Sequence, residues 1–280
     1  MHVVTSNPSA PPRGLLARIA GLQMPDLSDL HGVPDEMSGV GHRPWPLPDG
    51  PWVMRMAWED LAFLHWPVPL DALRRCVPEA LEIDTLEGRA WLAVTPLHMV
   101  DVRPRGLPAM PWMSHFPELN VRTYVTLAGK PGVYFFSLDA ASALAVAAAR
   151  SAYGLRYFRA EMSIHHRKDW VEYTSRRTHA GAAPADFAAR YRPIGDARRS
   201  RPSTPEHWLT ERYCLYTVDS DGQPWRAEIH HAPWSLQPAE VIVERNTMTQ
   251  SLRIELSDAP PLVHFSKRLD VVAWLPERVR

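Results

Sequence analysis

From Trp52 onward, hydrophobic and polar residues mostly alternate singly, with the period of a β-strand. The clearest stretch is ELNVRTYVTLAGKPGVYFFSLD, residues 118–139. Val121, Tyr124, Val125 and the run Val133–Phe136 favour strands, and Gly129, Pro131 and Gly132 break them into a hairpin. Alternation puts Glu118, Asn120, Arg122 and Tyr124 on one face and Leu119, Val121, Thr123 and Val125 on the other. A face carrying Glu, Asn and Arg in succession is either solvated or the polar wall of a cavity.

Other segments fall around this hairpin. LDALRRCVPEAL, after Pro69, spaces Leu70, Leu73 and Val77 for a short helix that Pro78 ends. Residues 81–97 predict a hairpin turning at Glu87-Gly88. RPRGLPAMPWMSHFP predicts a loop whose Met110, Trp112, Met113 and Phe116 must pack on something. ASALAVAAARSAY predicts a helix, capped by Asp139 or Ser142 and stopped by Gly154. RYFRAEMSIHHR, DWVEYTSRRTH and DFAARYRPIG predict an antiparallel meander. Thr204-Pro205-Glu206 predicts a helical turn, and ERYCLYTV with PWRAEIHHAPW a further hairpin. AEVIVER and VHFSKRLDVVAWLP predict the last strands. Ten to twelve strands with two or three helices predict an α+β fold, a curled antiparallel sheet or barrel with a few outer helices. Residues 1–48, rich in Pro, Gly, Ser and Asp, predict a mobile extension, and 49–280 a single domain.

Composition narrows the function classes. The formal net charge is zero, which offers nucleic acid no basic surface and removes one barrier to self-association, so a homo-oligomer stays open. Two cysteines, Cys76 and Cys214, are too few for a disulfide scaffold and fit a reducing cytoplasm. No membrane-length apolar run and no signal-peptide pattern is present, so the expectation is a cytoplasmic protein without membrane contact. Lys130, Lys168 and Lys267 are the only lysines.

The blocks FLHWPVP (63–69), GRAWLAVTP (88–96), FPELNVRTYV (116–125), PGVYFFSLDA (131–140), HHAPWSLQPAE (230–240) and FSKRLDVVAW (265–274) resemble the YqjF-like family of uncharacterised bacterial proteins. The resemblance runs from about Trp52 to the C-terminus. It implies an acetoacetate decarboxylase-like fold, a curled sheet around a central cavity. That fold's best-known chemistry uses a Schiff-base lysine after the long helix. The comparable stretch here, Tyr153 to Arg159, contains none. The resemblance therefore implies a cavity for small carboxylates without lysine chemistry.

The candidate residues follow. Glu118 and Arg122 lie about 13 Å apart along a strand and cannot pair directly. Arg122 then meets a ligand carboxylate, a protein carboxylate such as Asp139 or Glu161, or solvent. Tyr124, Ser137, Arg159 and Trp112 complete the candidate substrate-binding set, and Glu118, Glu228 and His230 the candidate catalytic set. Glu228 and His230 share a face, and Glu211 lies on the opposite strand of that hairpin. The histidines form no ligand-spaced motif, and no phosphate or dinucleotide fingerprint occurs, so neither metal nor cofactor is expected. Three functions stay open: a lyase- or hydratase-like enzyme acting on a small carboxylate, a non-catalytic sensor or carrier, and an interaction protein using the 110–116 loop.

Overall fold

Alternating β-branched and aromatic residues build long strands here, and glycine or left-handed turns separate them. The computed structural model describes residues 32–110, 114–256 and 262–279. The strands are β1 (Met54–Val68), β2 (Glu82–Ile83), β3 (Ala90–Pro104), β4 (Phe116–Leu127), β5 (Lys130–Ala140), β6 (Tyr157–Arg167) and β7 (Trp170–Arg177). They continue as β8 (Asp186–Pro193), β9 (Arg198–Arg199), β10 (Cys214–Val218), β11 (Pro224–His231), β12 (Ser235–Asn246), β13 (Leu262–Ala273) and β14 (Glu277–Arg278). The helices are α1 (Leu70–Arg74), α2 (Ala143–Tyr153) and α3 (Pro205–Thr210).

The sheet curls and closes on itself twice. One ring runs β5-β6-β7-β8-β12-β13-β1-β3-β4 and shuts through the β4–β5 pairing. A smaller ring runs β5-β10-β11-β13-β1-β3-β4 and shuts through β11–β13. Strands β13, β1, β3, β4 and β5 belong to both, so each of their faces looks into a different ring. Leu64, Val94, Val121, Tyr173, Tyr191 and Phe265 pack inside the larger ring. Phe63, Leu97, Leu138, Tyr157, Trp234 and Val271 pack on the other face.

The β4–β5 hairpin forms as its sequence predicts, with Leu127 opposite Lys130. Ala128 and Gly129 both take positive φ, the geometry of a two-residue hairpin turn. The β6–β7–β8 meander and the β10–β11 hairpin also form as expected.

Three local expectations differ. Of the hairpin expected over 81–97 only the turn forms: Glu87 and Gly88 take positive φ and Leu86 bridges Arg89, but β2 pairs with the end of β4 instead of with β3. The β4 edge offers β2 a longer run of free backbone groups than that tight turn does. The sheet is not wholly antiparallel, since β5 pairs in parallel with β6 and with β10. Helix α2 supplies the crossover that the parallel β5–β6 pair requires. Ser142, not Asp139, caps α2 by accepting from the Ala145 N–H, and Gly154 ends it at φ 62°. Asp139 is instead fully buried in a bidentate pair with Arg177, Nε to Oδ1 at 2.8 Å and Nη2 to Oδ2 at 3.0 Å.

Residues 32–48, read from sequence as part of the extension, lie against the sheet. Met37 and Arg43 are buried, and Met37 clusters with Trp52, Val272 and Trp274. Among the described residues no helix is long and apolar enough to cross a membrane.

Candidate functional site

The site follows from which face of β4 turns into the smaller ring. Residues directly opposite in a ladder share a face. Leu97, Thr95 and Ala93 of β3 stand opposite Glu118, Asn120 and Arg122 of β4. Ala140, Leu138 and Phe135 of β5 stand opposite the same three from the other side. Phe63 and His65 of β1, with His264 and Ser266 of β13, extend this face. Glu118, Asn120, Arg122 and Tyr124 are all buried. The polar row of β4 is therefore an interior wall.

Arg122 is the unusual member of that wall. Its guanidinium lies 5.1 Å from the Phe63 ring centroid and 5.9 Å from that of Tyr124. Its Nε and Nη2 have no hydrogen-bond partner among the described residues. Those two nitrogens form the edge that Arg177 uses to grip Asp139 on the opposite face of the sheet. The neighbouring cation keeps one ion pair: Arg212 binds Asp84 at 2.6 Å and stacks on Trp208 of α3, while its Nη2 has no hydrogen-bond partner among the described residues.

Titratable groups surround it. The Tyr124 hydroxyl lies 2.7 Å from His65 Nε2. Burial holds His65 well below its ordinary range, helped by the positive charge of Arg122. Burial also raises the Tyr124 phenol, against the pull of Arg122 and Arg212. At the other end of the wall, burial raises the Glu118 carboxyl to about 7. Hydrogen bonds from Tyr157 and Asn120 partly oppose that rise. Glu118 thus sits where a carboxyl can both give and take a proton near neutrality.

The remaining candidates fall elsewhere. Glu228 and His230 do share a face, but it is the outer face of β11, while His231 turns inward opposite Val271. Glu228 accepts from Arg43 (3.0 Å), Lys130 (2.9 Å) and Trp45 (2.8 Å). Arg43 also reaches within 3.4 Å of His230 Nδ1, so it stands between the two instead of leaving them an acid–base pair. His230 Nε2 is occupied by the Met37 carbonyl at 2.7 Å. Ser137 stands opposite Val121, before a register shift in β5, and so faces the larger ring. Arg159 is exposed on β6, because alternation turns its neighbour Ala160 inward. Trp112 lies outside the described residues. Glu211 meets Tyr213 and the Trp234 N–H, not Glu228. Of the two protein carboxylates weighed for Arg122, Asp139 belongs to Arg177 and Glu161 pairs with Arg176 at the surface.

Sequence reasoning missed Asn120 and Thr95 as site members, and also His65 and Tyr157. Asn120 and His65 had a signal, since alternation places them beside Arg122 and Phe63 respectively. Tyr157 had none, because it arrives across the α2 crossover. None of the three lysines belongs to the wall: Lys130 binds Glu228, Lys267 binds Asp60, and Lys168 is exposed. Among the described residues no group of His, Cys, Asp and Glu is arranged to hold a metal ion.

Comparison with known proteins places this geometry in context. The family model DUF2071, described as an uncharacterized conserved protein, matches residues 55–270. The chain is 45% identical over 228 residues to the uncharacterized protein YqjF of Bacillus subtilis, covering 81% of this chain and 93% of that one. Among solved structures it is similar to acetoacetate decarboxylase from Legionella pneumophila, with TM-score 0.55 and 16% identity over 89% of this chain and 96% of that one. The enduracididine biosynthesis enzyme MppR complexed with pyruvate gives TM-score 0.54 and 10% identity over 85% and 93%. At such identities these two structures speak for the fold alone.

Proposed function

This chain belongs to the DUF2071 family, and on that premise we propose that it binds a small carboxylate inside the smaller ring, on Arg122. One observation carries the reading: the buried Arg122 fork presents Nε and Nη2 without a partner among the described residues. Leaving a buried charge unpaired costs about 3–5 kcal/mol, and a bound carboxylate offsets it through two charge-assisted hydrogen bonds. Ala93, opposite Arg122, puts no more than a methyl group on that side of the wall. The fold neighbour solved with pyruvate supports the choice of a small acid.

The chemistry that fits is proton transfer without a lysine. Glu118, two inward rungs from Arg122, takes as carboxylate a proton from a carbon toward the far end of the bound acid and returns it to a hydroxyl leaving the adjoining carbon. Water departs and a double bond forms, or the reverse. No Schiff base enters, in keeping with the positions of the three lysines.

A thermal-shift screen against small carboxylates tests the binding. A ligand at 100 times its dissociation constant adds roughly 2.7 kcal/mol, hence a rise of several degrees. The expected result is a shift that disappears in Arg122→Met. An unchanged shift in that variant removes Arg122 from the site. Turnover of the bound acid, abolished in Glu118→Gln with binding kept, separates an enzyme from a sensor or carrier.

A further inference from the structure

Resting on the carboxylate reading, we infer that the site selects hydroxy acids over the corresponding oxo acids, through an acceptor set by Asn120 and Thr95. These two residues face each other across β4 and β3, one inward-facing rung from the Arg122–Ala93 pair. Both side chains are buried, Thr95 at 1% and Asn120 at 6% exposure. Asn120 Oδ1 and Thr95 Oγ1 each lack a hydrogen-bond partner among the described residues.

The chemistry of the amide gives the direction. Asn120 hydrogen-bonds to the carboxyl of Glu118, a contact only its NH2 end can make to a carboxylate. Its oxygen is left as a pure acceptor. A buried acceptor without a donor costs about 1–3 kcal/mol. A ligand hydroxyl supplies that donor, and its own oxygen then accepts from the Thr95 hydroxyl. A ketone oxygen at the same place still accepts from the Thr95 hydroxyl but sets acceptor against acceptor at Asn120. A plain acid leaves both groups empty. The successive inward rungs of β4 are about 6.7 Å apart. That step separates the carboxylate on Arg122 from the hydroxyl on Asn120, so the hydroxyl belongs on a carbon beyond the one next to the carboxylate. On the far side of Asn120, Leu138 of β5 supplies an apolar wall with no competing donor.

The test is calorimetric titration of the full chain with matched sets of acids on four-carbon, six-carbon and phenylpropanoate skeletons. Each set holds the 3-hydroxy acid in both hands, the 3-oxo acid and the unsubstituted acid. The expected result, on whichever skeleton binds, is that one hydroxy acid binds about tenfold more tightly than its oxo and unsubstituted counterparts, as one well-made hydrogen bond gives. Asn120→Leu should shrink the preference over the oxo acid, and Thr95→Val, close in shape, the preference over the unsubstituted acid. An oxo acid binding as well as or better than the hydroxy acid overturns the inference. So does a preference that survives both variants. Either result leaves the carboxylate reading intact if Arg122→Met still abolishes binding. If no acid on any skeleton binds, the carboxylate reading itself falls, and this inference with it.

Discussion

The Tyr157 hydroxyl donates to Glu118 Oε2 at 2.8 Å, tying β6 to the interior wall of β4 across 39 positions of sequence. The bond holds a carboxyl that burial has already lifted from 4.5 to about 7. Below pH 4.5 the group carries its proton in the folded and unfolded chain alike. Between 4.5 and about 7 the folded chain keeps the proton that the unfolded chain releases, so stability falls as pH rises. Above 7 the whole penalty is present, about 3 kcal/mol. Glu118→Gln should therefore be more stable than the parent by about 2–4 kcal/mol at pH 8 and equal to it at pH 4. Urea unfolding at the two pH values measures this. An equal offset at both would show that Glu118 does not titrate in this window.

Arg122 and Arg177 make opposite predictions for one substitution. Arg177 is paired, so Arg177→Met strands the buried Asp139 and should cost about 3–5 kcal/mol. Arg122 has no carboxylate partner among the described residues, only two aromatic rings and a neutral tyrosine hydroxyl, so in the ligand-free protein Arg122→Met should cost no more than about 1 kcal/mol and can add stability. Chemical denaturation of the two variants side by side decides it. A large loss in Arg122→Met would mean that its charge is satisfied in the free protein.

Arg43 fastens residues 37–45 to the outer face of β11. It donates to Glu228 Oε2 and, at 2.6 Å, to the Ile229 carbonyl, and it stacks 4.9 Å from the Tyr213 ring centroid. Replacing it by Met should raise amide hydrogen exchange in residues 35–47 while leaving β1, β3 and β4 protected, because Arg43 is the segment's buried charged link to Glu228 and to the Ile229 carbonyl. Exchange that rises equally throughout would instead mark Arg43 as part of the global fold.

Gly132 sits where β5 meets β10 in parallel. A Cβ there would stand 2.7 Å from both the backbone oxygen and the Sγ of Cys214. Gly132→Ala should cost about 1–3 kcal/mol by overpacking. Burial raises the neighbouring Cys214 thiol to about 11, so a thiol reagent at pH 8 should leave it untouched in the native parent. In Gly132→Ala its labelling should speed up, as the strand pair opens more often. Mass spectrometry after timed labelling reads both. Rapid labelling of Cys214 in the parent would contradict its burial.

The sequence by itself determined the strands and the composition of their faces. Alternation is local, so it was enough to group Glu118, Asn120, Arg122 and Tyr124, to pair β4 with β5, and to put Glu228 with His230. It could not say which side of a strand becomes an interior. That depends on ring closure by β10 and β11, which lie about ninety residues further along the chain and turn the β4 row inward and the Glu228 row outward. A single register shift in β5 likewise carried Ser137 to the wrong face. The partners of the charges were decided at the same level. Arg177 reaches Asp139 from a strand 38 positions away, and Arg43 comes from a Pro- and Gly-rich stretch whose composition gives no sign of packing. Tertiary closure distributes the carboxylates among the arginines, and among the described residues it leaves the fork of Arg122 open.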